Sequence, residues 1–309
     1  MSSLPTRADI AGTPSNATAK AALAAQFDFV AQRLAAGTSG AGTASIAELL
    51  AARLSLGIVV PRGHISGCTL STAGSSATMS VAAGQAADST NAVLLDLAST
   101  SKTTSAWASG AAAGGLDTGT IANNTWYHFY LIRDPSTGVV DVVFSTSASS
   151  PTLPAGFTQY RRIGSGLTSG SAQWVKFTQK GNLFVWDVPV SDLNTASPGI
   201  SAVLRALTVP AGVKVEAVYS AYVFVSAGQT TNSYLLATDP DTADTTPSGT
   251  LFDLAAFYPS SATSSYAVSG QLRTITDTSR QIRTRLDFAT STTLRISTKG
   301  WVDTRGANA

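Results

Sequence analysis

Charge is scarce in this chain: Asp, Glu, Lys and Arg together make up 12% of 309 residues, and the formal balance is only +2. That excludes the general electrostatic attraction that draws basic proteins to phosphate backbones, and no run of five Lys or Arg occurs. Nucleic acid is therefore not an expected partner. A single cysteine, Cys68, rules out an intrachain disulfide and reads as a buried structural thiol. Two histidines, His64 and His128, are the only side chains that titrate near neutrality unperturbed, and neither sits in a catalytic motif. His128 lies in an aromatic strand and reads as a packed core imidazole; His64 precedes a strand and reads as a turn residue. There is no HExxH, no GxSxG, no phosphate-binding loop and no Cys/His zinc spacing, so no cofactor and no enzymatic activity are expected. No apolar run reaches 18 residues, and MSSLPTRADIAG lacks the basic and apolar regions of a signal peptide. The expectation is a chain made in a cytoplasm, without membrane insertion.

What is abundant is Ala, Ser, Thr and Gly, with 44% apolar residues. Short polar side chains then have to cover the surface, as in proteins built from strands and tight turns. Length allows two folded units and a short appended element. From Ser15 to Ala36, Leu23, Phe27, Val30 and Leu34 form a narrow heptad-type stripe on an Ala-rich helix that Gly37 can end. A glycine- and serine-rich linker, Gly37 to Thr43, precedes a second short helix from Ser45 to Leu54. Residues 1–56 thus read as a helical attachment region.

After Gly57 the period changes to two. Strands are expected at Ile65 to Ser71, Ala77 to Val81, Ala92 to Ala98, Trp126 to Arg133, Val139 to Ser145, Ala172 to Gln179 and Leu183 to Asp187. A second set is expected at Ser201 to Val209, Lys214 to Val225, Ser233 to Thr238, Tyr266 to Thr276, Gln281 to Phe288 and Thr293 to Ser297. WYHFYLI is apolar on both alternate faces, the pattern of a central strand, and DPSTG and Lys180 to Asn182 supply hairpin turns. The fold class expected is mainly β: a short N-terminal helical region, then two antiparallel β-sandwich, jelly-roll-like domains at 57–190 and 191–309, the boundary falling near Pro189 to Pro198.

Several of these stretches carry a resemblance. LPTRADIAGTPSNATAKAAL, SGCTLS, AAGQAADSTNAVLLDLAS, GGLDTGTIANNTWYHFYLIRDPSTGVVDVVFSTSASSPTLP and YRRIGSG resemble a family of phage and prophage tail-fibre-like proteins over Leu4 to Trp186. The resemblance implies a virion location and a trimeric appendage assembled in the host cytoplasm. Its partners would be itself and other virion proteins, met through Leu23, Phe27, Val30 and Leu34. Tail fibre, head fibre and capsid decoration protein all remain open, and a carbohydrate-active enzyme on a sandwich scaffold is the alternative of a different class.

For a host cell-surface glycan, the candidate ligand surface consists of aromatics in small-residue loops, Trp107, Phe257, Tyr258 and Tyr266, and of Arg283, Arg285 and Arg295 on outward strand positions. Asp239, Asp241 and Asp244 in ATDPDTAD offer carboxylates to a cation, but without the loop glycine and downstream Glu of a calcium loop, so they read as a solvated loop and no metal is expected.

Overall fold

The structure, a computed structural model, describes residues 60–307. The two expected helices, with Leu23, Phe27, Val30 and Leu34, lie outside the described residues. Among the described residues all regular structure is strand.

The first strands are β1 (Ile65–Gly67), β2 (Leu70–Ser71), β3 (Thr78–Val81), β4 (Gly84–Ala87), β5 (Leu94–Leu97), β6 (Thr100–Ala106) and β7 (Ala113–Leu116). There follow β8 (Trp126–Arg133), β9 (Val140–Ser145), β10 (Gln159–Leu167), β11 (Phe177–Lys180), β12 (Leu183–Ala196) and β13 (Val203–Ala206). The last are β14 (Glu216–Val225), β15 (Ser233–Thr238), β16 (Leu254–Ala256), β17 (Tyr266–Ile275), β18 (Gln281–Leu286) and β19 (Thr292–Val302).

Twelve of them form one sheet in the order β10-β8-β9-β7-β6-β3-β2-β11-β12-β19-β14-β17. Two smaller sheets, β1-β4-β5 and β13-β18-β15-β16, complete the fold. β5 packs on β8 and β9, whereas β16 packs on β14 and β17, so each end of the long sheet is covered by a second layer. The described residues from Arg62 onward cluster as one compact unit.

Strand β8 shows why the aromatic run is central. Tyr127, Phe129 and Leu131 enter the main core, and Tyr130 and Ile132 join Val143 in a smaller cluster on the other face. Its hairpin with β9 closes through Asp134, whose amide donates to Val139 and whose carbonyl accepts from Gly138. The Ser136 hydroxyl and amide and the Thr137 hydroxyl bond the Asp134 carboxylate and hold its pKa down to about 2. Alternation on β18 is as the sequence predicts: Ile282, Thr284 and Leu286 are buried and Arg283 and Arg285 point outward.

Pairing is not antiparallel throughout. β7 runs parallel to both β6 and β9. Two features make this possible. Glycines admit the strand, since a Cβ at Gly114 would lie 1.8 Å from the Ala106 carbonyl oxygen and one at Gly115 2.7 Å from the Phe144 ring. The chain also returns quickly from β6, pinned by Lys102. That fully buried ammonium donates to Ala108 O at 2.8 Å, Gly110 O at 2.9 Å and Asp141 at 2.9 Å, which uses its three protons.

Strand β12 runs continuously through positions 189–196, where a boundary between halves was expected, and joins β11 on one side to β19 on the other. Pro189 is tolerated there because it falls in the register shift between Val185 and Val190, where no ladder bond is required.

Candidate functional site

A cleft of about 440 Å³ opens at the β10 edge of the long sheet. It is lined by Arg161 and Arg162, consecutive on β10, by Ala148 and Ser149, by Gly212 to Lys214, and by Asp303 to Gly306 of the chain after β19. Tyr130 and Tyr160 line it as well, with ring centroids 5.9 Å apart in an edge contact. Four of its lining side chains are cationic, Arg161, Arg162, Lys214 and Arg305, against one carboxylate, Asp303.

Asp303 is the hub. It takes two bonds from Arg162, at 2.8 and 2.6 Å, and one from the Arg305 amide at 2.8 Å, while its own amide donates to the Asn182 carbonyl. Arg305 donates from Nη2 to Asn182 Oδ1 at 2.8 Å, but its Nε and Nη1 are buried without a partner. Arg161 is 6% exposed and makes one long bond, 3.4 Å, to the Gly63 carbonyl; its Nε is also buried and unpartnered. Burial, with the neighbouring guanidiniums Arg162 and Arg305, works against the charged form of Arg161. Burial does the same to Arg305, opposed by Asp303. Asp88 acts on Arg161 only through space, because its carboxylate accepts from Thr90, Ala92 and Val93 of its own loop.

His128 is 1% exposed, with Nδ1 2.9 Å from Ser165 Oγ, as a packed core imidazole. Burial pushes its pKa down to about 4, helped by Arg162 and opposed by Asp303 and by the Ala211 backbone. The ordinary histidine value is 6.5. The unfolded chain therefore takes up this proton first, and below pH 6.5 acid favours unfolding until the folded imidazole also protonates near 4. The expected result is a loss of about 3 kcal/mol of stability as pH falls through that window. Urea titrations at pH 7 and pH 4.5 check it: His128→Gln should show a markedly smaller difference between the two than the unaltered chain, and equal differences would refute it. Cys68 is buried, and burial pushes its thiol up to about 11.

The ligand surface expected from sequence is dispersed. Trp107 is a plug at the rim: its Nε1 donates to the Val142 carbonyl and its ring meets Phe157 edge-on at 5.4 Å. Tyr266 is buried and Tyr258 packs partly buried against the core, whereas Phe257 is 62% exposed beside Tyr234. Arg283 and Arg285 lie on β18 of the four-stranded sheet and Arg295 on β19 of the long one, so the three do not share a sheet. Arg283 is held by the Thr242 and Pro240 carbonyls, Arg285 by Asp244 at 2.6 Å and the Ile200 carbonyl, and Arg295 by Asn194 and the Tyr222 ring.

The acidic loop is likewise engaged: Asp239 accepts the Asp241 amide, Asp241 pairs with Lys214 and Asp244 with Arg285. Among the described residues no three His, Cys, Asp or Glu side chains are placed to hold a metal ion. Nor is any helix among them long and apolar enough to cross a membrane.

The cleft residues were not singled out from sequence. The signal was the adjacent pair in YRRIGSG: neighbours on a strand point to opposite faces, so a strand covered on both sides must bury at least one arginine. No protein-family model matches this chain, and a search of curated proteins finds no match to it.

Proposed function

We propose that the chain is a structural, non-enzymatic component of a bacteriophage virion, a tail fibre or similar appendage that assembles as a trimer and binds the host surface. Residues 1–56 would attach it to itself and to other virion proteins through Leu23, Phe27, Val30 and Leu34. The two ends of the long sheet, each with its covering layer, would act as two jelly-roll-like sandwiches. The resemblance over Leu4 to Trp186 motivates the reading, and a mainly β chain of low charge supports it.

The observation that favours binding over glycoside hydrolysis is the cleft itself. It presents one carboxylate, already held twice by Arg162, where hydrolysis takes a facing pair of carboxyl groups. Repeated weak contacts gain avidity in a symmetric oligomer, which gives trimerisation a physical use.

The test is an image reconstruction of particles carrying a tagged copy, with light scattering on the purified chain. The expected outcome is density in threefold sets on an appendage and a trimer in solution, weakened by Phe27→Asp. A chain absent from purified particles would overturn the virion reading, and a monomer that incorporates normally as Phe27→Asp would overturn the helical attachment.

A further inference from the structure

The cleft keeps cationic groups that the protein balances only in part: Asp303 is bonded to Arg162, and Asp88 reaches Arg161 through space without a hydrogen bond. A guanidinium stays protonated at any pH a protein survives, so Arg161 and Arg305 cannot escape burial by losing charge. A buried charge without a partner costs several kcal/mol, and folds normally supply a carboxylate or a full set of carbonyl acceptors. Arg283 and Arg285 illustrate the normal case, each held by two groups of the protein. Arg161, 6% exposed, has only the 3.4 Å bond from Nη2 to Gly63, which leaves its Nη1 without a protein acceptor, and Arg305, 5% exposed, is bonded at Nη2 alone, its Nε and Nη1 being sealed from solvent. Asp303, the one carboxylate of the cleft, is committed to Arg162 and to the Arg305 amide. Lys214 adds a further positive charge to the lining, shared with Asp241.

The remaining lining sets the kind of ligand. The cleft's size, about 440 Å³, lies in the range of small-molecule sites. Its mouth carries the exposed hydroxyl residues Ser89, Ser149, Thr278 and Thr304. Such a lining suits a hydroxyl-rich molecule better than an apolar one, and guanidinium forks match the geometry of carboxylate and phosphate alike.

We infer that this cleft binds the oxyanion of an acidic saccharide, the carboxylate of a sugar acid or the phosphate of a phosphorylated sugar, through Arg161, Arg162 and Arg305. The saccharide half of this assignment rests on the host-surface reading above; the oxyanion half rests on the partly balanced arginines alone.

Calorimetric titration of the full chain with glucuronate, glucose 6-phosphate, inorganic phosphate and glucose tests it. Glucuronate or glucose 6-phosphate should bind with a dissociation constant of about 1 mM or tighter, and tighter than phosphate or glucose. Whichever acidic sugar binds identifies the source of the anion. Arg161→Gln should weaken binding at least tenfold, which is about 1.4 kcal/mol.

Because Arg161 is buried and its loss can disturb folding, two substitutions at exposed mouth positions carry the same test. Thr304→Glu places a repelling carboxylate at the mouth and Ser149→Trp fills it; each should also weaken binding about tenfold or more with the fold intact by circular dichroism. Absence of binding by every acidic probe, or binding that survives both mouth substitutions, would overturn the assignment. Acidic sugars binding no tighter than inorganic phosphate would overturn its saccharide half. If the sugars bind as expected but the chain is absent from virions, the host-surface reading falls and the site stands.

Discussion

Replacing Asp303 with alanine is expected to destabilise the protein by about 3 to 5 kcal/mol, the cost of removing one partner of a buried ion pair. The carboxylate is 2% exposed and its partner Arg162 12%, so little water is available to take its place. Three consequences arrive together. Arg162 loses both of its carboxylate bonds, the Arg305 amide loses its acceptor, and Arg305 loses the carboxylate that offsets its burial and the neighbouring Arg162. Asp303→Asn keeps the shape and one acceptor and should fall between alanine and the unaltered chain. Asp241→Ala is the contrasting case: it removes an ion pair whose side chains are 49% and 58% exposed, and exposed pairs are worth about 0 to 1 kcal/mol. Guanidinium chloride titration of the three variants decides the matter. A loss for Asp303→Ala as small as that for Asp241→Ala would mean that water enters the cleft and solvates the arginines.

The same carboxylate shows where sequence reasoning stops. Strands with clean alternation or a continuous apolar run were legible: β8, β9, β14, β15, β17, β18 and β19 all lie where the pattern placed them, with ends shifted by a few residues. Those that escaped break the pattern for identifiable reasons. β4 and β7 read GQAA and AGGL, where small side chains and bare backbone carry no period. β6 is TSKTTSA, a polar string whose lysine turns inward because the return loop and Asp141 supply its acceptors. β10 carries two arginines and two glycines, and β16 has only three residues.

The candidate site was less legible than the fold. A cleft depends on elements far apart in the chain, and here Arg162 meets Asp303 across 141 positions. No local window contains that pairing. Local composition could suggest Trp107, Tyr258 and Tyr266 as loop aromatics, but whether a ring faces water or core is decided by tertiary packing, and these three pack inward.

Trp301→Ala is expected to cost about 3 to 5 kcal/mol and to lower the stability of both ends of the long sheet at once. Trp301 is fully buried on β19, where Phe184 and Ala217 are its register partners on the two flanking strands. Its ring stacks on Phe184 at 5.0 Å and an interplanar angle of 6°, and meets Trp186 at 5.0 Å, Trp126 at 5.4 Å and Phe177 at 6.2 Å. Those partners come from β8, β11 and β12, so one side chain links the N-terminal strands to the C-terminal ones. Alanine would leave a void bounded by large aromatic rings, whose shape resists collapse. The indole N–H adds a second, separable effect. It is buried without an acceptor, so Trp301→Phe removes an unsatisfied donor along with some volume and should cost clearly less than alanine. Urea unfolding followed by tryptophan fluorescence and by far-ultraviolet circular dichroism reads both effects. Coincident transitions, shifted together by Trp301→Ala, are expected of a sheet that continues from β10 to β17. Two separate transitions, only one of them displaced by the substitution, would show that the halves unfold independently despite the strand β12 that they share.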